Sequence, residues 1–211
     1  MPIITSIKQQ KDKNRVNVYL DDKFGFGIDL DNFVLLHLKV NQELTEAEVT
    51  EVVKKAEFQK TLDKLLKFAM MRPRSEKEID EYLKRKKVHE SMWEDLFQKL
   101  KHFELLDDAK FAKWWVDQRL AFKKISEKVL KLELGRKGID KNTIDDVLEV
   151  TPIDEEKMAK ELLSKRAYKW ERLDPKIAKQ KKFQYLAGKG FDWEVITRII
   201  KSDPSEVSDS H

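Results

Sequence analysis

The chain has 211 residues, of which 43 are basic and 39 acidic, giving a net charge of +4 with no cysteine, six glycines and five prolines. That length allows a sizeable core and one or two domains. The missing cysteine excludes a disulfide framework, a thiolate zinc site and a cysteine nucleophile, and suits a reducing compartment.

The N-terminal stretch MPIITSIKQQKDKNR lacks the apolar run of a signal peptide, and no segment approaches roughly 18 uncharged apolar residues. A cytoplasmic protein without a membrane span is therefore expected. Scarce glycine and proline beside abundant Lys, Glu and Leu point to helices.

The first 30 residues read as strands. Short β-branched or aromatic runs cover Ile3 to Ile7, Val16 to Leu20 and Phe24 to Ile28, with Asp21-Asp22-Lys23 as a hairpin-length connection. Val16, Val18 and Leu20 alternate with Arg15, Asn17 and Tyr19, so one face of this small antiparallel sheet is apolar. A three-stranded sheet alone is marginal, and it is expected to pack on the next helix.

After Leu44 the period becomes helical. Thr45 and Glu48 form a T-x-x-E capping box, followed by Val49, Val52, Val53 and Ala56 and then Phe58, Leu62, Leu65, Leu66 and Ala69. Arg72-Pro73 ends that run. Ser75, with Glu78 at its capping-box position, opens a second helix, and Trp93, Leu96, Phe97 and Leu100 mark a third.

The pattern then recurs. YLKRKKV (Tyr82 to Val88), ELGRKGI (Glu133 to Ile139) and YLAGKGF (Tyr185 to Phe191) align on Leu83, Leu134 and Leu186, at spacings of 51 and 52. Val88, Ile139 and Phe191 follow five positions on, and Trp93, Ile144 and Ile196 five further; Ser75 and Ser126 align upstream. A fixed period near 50 with a helix–glycine–helix centre predicts tandem helical repeats of three helices each.

Gly138 and Gly190 suit a left-handed helix C-terminus, whereas Lys87 at the same place in the first copy requires a different turn or some strain. The second copy is expected to hold helices over Asp108 to Phe122, Ser126 to Lys137 and Lys141 to Val150. The third is expected over Asp154 to Trp170, Asp174 to Gly188 and Trp193 to Lys201, before a frayed tail. The fold class is thus mainly α: tandem three-helix repeats behind a small N-terminal antiparallel β-sheet domain. The domains divide as 1–50 (β-rich), 51–103, 104–151 and 152–202 (the repeats) and 203–211 (tail).

Candidate chemistry is sparse. His37, His89, His102 and His211 show no metal-ligand spacing, and F-G-F-G at Gly25 and Gly27 lacks the third glycine and helix start of a dinucleotide fingerprint. Asp107 and Asp108 read as a helix cap and a first-turn charge. No catalytic residue, metal site or cofactor is expected, and the chain reads as a binding protein rather than an enzyme.

Local charge indicates the partner. The first 50 residues hold six basic and eight acidic side chains, whereas Lys113 to Lys137 hold eight and three, and Lys160 to Lys182 nine and three. Basic stretches recur with the repeats, and stacking of the repeats is expected to align them into a stripe suited to a phosphate backbone or an acidic protein groove. The candidate binding residues are Arg72, Arg74, Lys84, Arg85, Lys123, Lys124, Arg136, Lys137, Lys179, Lys182 and Lys189. Trp114 and Trp115 sit about 100° apart on one helix, so one of them is expected to be partly exposed for stacking. Trp93 and Trp193 lie on apolar faces and are expected in the core.

The segments RPRSEKEIDEYLKRK, LLDDAKFAKWWVDQR and ISEKVLKLELGRKGI resemble the regulatory protein RecX family, modulators of the bacterial recombinase RecA. With YLAGKGF the resemblance runs from about Ala69 to Ile200, and VYLDDKFGFGIDL is similar to the N-terminal strands of longer members. Lys87 stands where the family usually has glycine, and Lys123-Lys124 replaces another common glycine.

The resemblance implies an elongated, curved array of three-helix repeats, and an extended repeat protein that engages a filament is expected to be a monomer. It implies binding to the RecA–DNA filament along its helical groove, with inhibition of strand exchange, coprotease activity and ATP hydrolysis in recombination and the SOS response. It also implies weak binding to single- and double-stranded DNA. The alternative reading is a stand-alone DNA-binding module acting through a basic helical face, marked by a steep salt slope on naked DNA without RecA.

Overall fold

A computed structural model describes residues 1–202; the tail expected at 203–211 lies outside the described residues. Three antiparallel strands, β1 (Ile4–Gln9), β2 (Arg15–Leu20) and β3 (Lys23–Asp29), form a sheet in chain order. The β2–β3 turn is tighter than the sequence reading: Lys23 already pairs with Leu20, leaving only Asp21 and Asp22 to connect the strands. Both adopt positive φ, 47° and 61°, the two-residue turn whose twist matches the flanking strands.

A short helix, α1 (Leu30–Leu35), follows, its N-terminus capped by Asp29, whose carboxylate accepts the Asn32 N–H at 2.9 Å. Six residues are too few to show a helical period, which is why the sequence reading passed over it. The long helix α2 (Glu46–Met70) then opens on the expected capping box. The Glu48 carboxylate accepts the Thr45 N–H at 2.7 Å, while the Thr45 hydroxyl accepts the Glu48 N–H at 3.2 Å. As the alternation predicted, Val16 and Val18 are buried together with Phe26, Ile28 and the α2 residues Val52 and Ala56.

Seven of the remaining helices are α3 (Glu76–Arg85), α4 (Trp93–His102), α5 (Asp108–Phe122), α6 (Glu127–Arg136), α7 (Lys141–Glu149), α8 (Glu155–Ser164) and α9 (Pro175–Ala187). The last described is α10 (Trp193–Lys201). The recurring leucines Leu83, Leu134 and Leu186 are all fully buried, and of the apolar positions after the turns Ile139 and Phe191 are buried whereas Val88 is half-buried.

Contacts group the chain into two units: Met1–Arg72 with Leu83–Leu105, and Pro73–Tyr82 with the chain from Leu106 onward. The second unit holds two cores. One gathers Phe111, Val116, Leu130, Leu134, Ile139 and Leu148, and the other Ala159, Leu163, Trp170, Leu186, Ile196 and Ile200.

Two expectations need correction. The helix expected to reach Trp170 ends at Ser164, and a single 3₁₀ turn (Ala167–Lys169) carries the chain on. Trp193 is not in the core: it is 68% exposed, with its ring centroid 4.7 Å from that of half-buried Phe183. As the first residue of α10 it lies where the helix has just left solvent.

The repeat turns resolve the question raised by Lys87. Gly138 and Gly190 take φ of 86° and 87°, and Lys87 takes 55°. The first turn therefore has the same left-handed form and holds a side chain there, and so does Lys124 with φ 43°. An L-residue in this region costs about 1 kcal/mol relative to glycine. Lys87→Gly is accordingly expected to raise stability by roughly that amount, read as a higher urea midpoint.

Candidate functional site

The basic residues singled out by sequence fall into three classes. Lys123 and Arg136 are exposed at the ends of α5 and α6. Lys84 and Arg85 are exposed at the end of α3, where the Lys84 ammonium stands 5.7 Å from the Trp93 ring centroid. Trp93, expected in the core, is only half-buried, and it donates its indole N–H to the Val88 carbonyl at 3.1 Å. Lys179 is exposed on α9, while Arg72, Lys182 and Lys189 are half-buried.

The remaining three are drawn into the fold. Lys124 pairs with Glu161 of α8. Arg74 lies 3.9 Å from Glu78, and the Lys137 ammonium donates to the same carboxylate at 2.6 Å. Glu78 is only 8% exposed, so this charge is held between two cations rather than left to water.

The tryptophan pair joins the same region. Trp114 and Trp115 are both half-buried against Phe111, with centroids 5.9 and 5.8 Å from its ring, so neither stands clear of the core. The Trp115 indole N–H donates to Glu133 at 2.9 Å, and Arg119 Nε donates to the same oxygen at 2.5 Å. The Arg119 guanidinium stands 4.4 Å and the Lys137 ammonium 5.0 Å from the Trp115 ring centroid. One aromatic ring thus gathers two cations, an arrangement favoured by the negative face of its π-system. Arg119 and Glu133 were not singled out by sequence, although both fall inside the basic stretch.

Beneath this patch lies a junction that repeats. The Ser75 hydroxyl donates to the Lys137 carbonyl at 2.8 Å, and the Glu76 N–H donates to the Asp108 carboxylate at 2.8 Å. One period later, the Ser126 N–H donates to the Lys189 carbonyl at 3.4 Å, and the Glu127 N–H to the Glu155 carboxylate at 2.8 Å. Each middle helix therefore receives at its N-terminus the turn of the next repeat and a carboxylate from that repeat's first helix. These groups satisfy donors that a helix start leaves without intrahelical partners.

Partial burial raises the Asp108 and Glu155 carboxyls above their ordinary values, outweighing the N–H each accepts. A carboxyl raised on folding binds more protons folded than unfolded between its two pKa values. The contribution of these two groups is therefore most favourable at low pH and declines as pH rises through that window. Asp108→Asn with Glu155→Gln keeps an acceptor for each N–H and removes the buried charge. The double variant is expected to gain most over the parent at neutral pH, with the gap closing below about pH 4. Urea midpoints across a pH series measure it.

Among the described residues no group of three or more His, Asp or Glu side chains could hold a metal ion, and no helix is long and apolar enough to cross a membrane.

Comparison with known proteins follows this geometry. The RecX N-terminal domain model matches residues 2–45, the second RecX three-helix domain residues 107–148, and the third residues 154–200. The regulatory protein RecX of Bacillus licheniformis is 34% identical over 99% of this chain and 80% of its own length. That of Clostridioides difficile is 32% identical over 95% of both chains.

Among solved structures, a crystal structure of regulatory protein RecX superposes with a TM-score of 0.72 at 27% identity, covering 95% of this chain and all of that one. RecX from Lactobacillus salivarius gives 0.61 at 26% identity, over 68% of this chain and 94% of that one. Sheet, repeats and sequence agree along the length of the molecule, and the chain belongs to the regulatory protein RecX family.

Proposed function

We propose that this protein binds RecA–DNA filaments in the cytoplasm and restrains RecA activity in recombination and the SOS response. The observation carrying this reading is membership of the regulatory RecX family along nearly the whole chain. The chemistry supports it: exposed Lys123 and Arg136 flank a patch where Arg119 and Lys137 gather on Trp115. Cations on a rigid helical frame suit a nucleoprotein groove, where phosphates supply affinity and shape supplies fit.

The binding set comprises Arg72, Arg74, Lys84, Arg85, Lys123, Lys124, Arg136, Lys137, Lys179, Lys182 and Lys189, with Trp114 and Trp115 as stacking partners. Of these, Lys123, Arg136, Lys84, Arg85 and Lys179 present exposed side chains. The protein acts as a monomer without a cofactor or catalytic step, its β-rich domain over 1–50 preceding repeats over 51–103, 104–151 and 152–202. Binding to RecA filaments on single-stranded DNA, read together with filament ATPase, tests the proposal. Stoichiometric protein is expected to bind and slow the ATPase; absence of both effects overturns it.

A further inference from the structure

The break after α8, where the sequence pattern predicts a continuous helix, sets a short turn on the surface of the third repeat. The chain leaves α8 at Ser164 and runs through Lys165, Arg166, Ala167, Tyr168 and Lys169 before Trp170. Leu163 and Trp170 are buried in the core of that repeat and anchor the turn on either side. The Arg166 N–H donates to the Leu163 carbonyl at 3.0 Å, the Lys169 N–H to the Arg166 carbonyl at 2.9 Å and the Trp170 N–H to the Ala167 carbonyl at 2.9 Å. The five residues from Lys165 to Lys169 are nevertheless all exposed.

Their chemistry is one-sided. From Lys165 to Arg172 the chain carries four cations and one carboxylate, Glu171. Among the described residues neither Lys165 nor Lys169 pairs with a carboxylate, unlike Lys124 and Lys137, which the fold pairs with Glu161 and Glu78. Tyr168 stands among these cations at 67% exposed, with the Lys169 ammonium 5.9 Å from its ring centroid. The Arg166 guanidinium lies 4.6 Å from the ring centroid of half-buried Tyr185, a contact that steadies the start of the turn. Trp193, an aromatic of similar exposure, lies instead between Asp192 and Glu194, where a phosphate is disfavoured.

We propose that this turn is a contact for single-stranded DNA, in which Tyr168 stacks on one base while Lys165 and Lys169 meet the phosphates beside it. None of these residues belongs to the binding set above. An acidic protein groove would be served by cations alone; an exposed ring held between them adds a π-face, which stacks on a base of any kind. The hydrogen-bonded, anchored backbone has little left to order when the strand arrives. The site deepens the filament reading, on which it rests for a partner that carries DNA, by naming a place where the strand is held.

The test measures binding of the full chain to a fluorescent oligothymidylate without RecA, beside an abasic strand of the same length. Tyr168→Ala is expected to weaken oligothymidylate binding about tenfold and abasic binding by less than about twofold, while Tyr168→Phe stays at the parent's affinity. Lys165→Gln with Lys169→Gln, both at exposed positions, is expected to lower the salt slope on either strand by about 1.4, the value for two phosphates of a single strand. Failure of the parent to bind oligothymidylate, parent-like binding by Tyr168→Ala, or an equal loss on both strands would each overturn the proposal. So would displacement of the strand by oligoglutamate of equal charge, which assigns the turn to an acidic protein. If the parent shows these dependences on naked DNA but leaves RecA filaments untouched, the turn stands and the filament reading falls. A parent that binds filaments without any dependence on Tyr168, Lys165 or Lys169 on naked strands has the opposite meaning.

Discussion

Gly190→Ala is expected to destabilise the second unit by about 3 kcal/mol, combining left-handed strain with overpacking at a closed contact. Gly190 has φ 87°, and a Cβ added there would come within 2.6 Å of Ser126 Oγ and closer still to Val129 Cγ2. Both neighbours belong to the start of α6, where the Ser126 hydroxyl already accepts the Val129 N–H at 3.3 Å. Relief therefore requires moving the turn off the helix it covers, which also loosens the Lys189 carbonyl from the Ser126 N–H.

Gly135→Ala is the matched control. It lies inside α6 with nothing within 4 Å of an added Cβ, so alanine there is expected to stabilise by roughly 0.5–1 kcal/mol through helix propensity. Urea unfolding of the two variants is expected to give opposite signs, and a loss at Gly190 well above the roughly 1 kcal/mol of left-handed strain alone shows that the turn is held by its contact. Equal and small effects would show that the junction yields easily.

Reversing Lys123 and Arg136 together to glutamate is expected to weaken filament binding by about 30-fold at moderate salt, while lowering the salt slope on naked DNA by about 2. Both side chains are exposed, and Arg136 meets Lys77 through its backbone carbonyl, which the substitution keeps. Stability should therefore stay near that of the parent, so loss of binding reports on the surface rather than the fold. Reversing Lys124 or Lys137 would give a mixed result, because Lys124 pairs with Glu161 and Lys137 with Glu78. If the double reversal leaves filament affinity and ATPase inhibition unchanged, the basic residues are not the contact, even should the protein still bind RecA.

The candidate surface was only partly legible in the sequence. Charge counting found the basic stretches because lysine and arginine are visible wherever they stand. It could not separate Lys123, which points to solvent, from Lys124 beside it, which closes onto a helix 37 positions later. The expectation for the tryptophans had a similar limit. Helical geometry showed that Trp114 and Trp115 diverge, but both remain half-buried because Phe111 and Glu133 lie beneath them.

Sequence alone determined whatever depends on near neighbours and on period. The capping of α2 by Thr45 and of α5 by Asp107, the buried leucines at Leu83, Leu134 and Leu186, and the left-handed glycines at Gly138 and Gly190 all follow from patterns within a few residues or from their recurrence. The +4 net charge likewise resolved into a negative β-rich start and positive repeats by counting along the chain.

Tertiary structure alone decided how the repeats meet. Ser75 reaches Lys137 and Glu76 reaches Asp108 across separations of 62 and 32 residues. No local pattern specifies such partners. A helix N-terminus needs acceptors, and which carboxylate or carbonyl arrives is set by the packing of the following repeat.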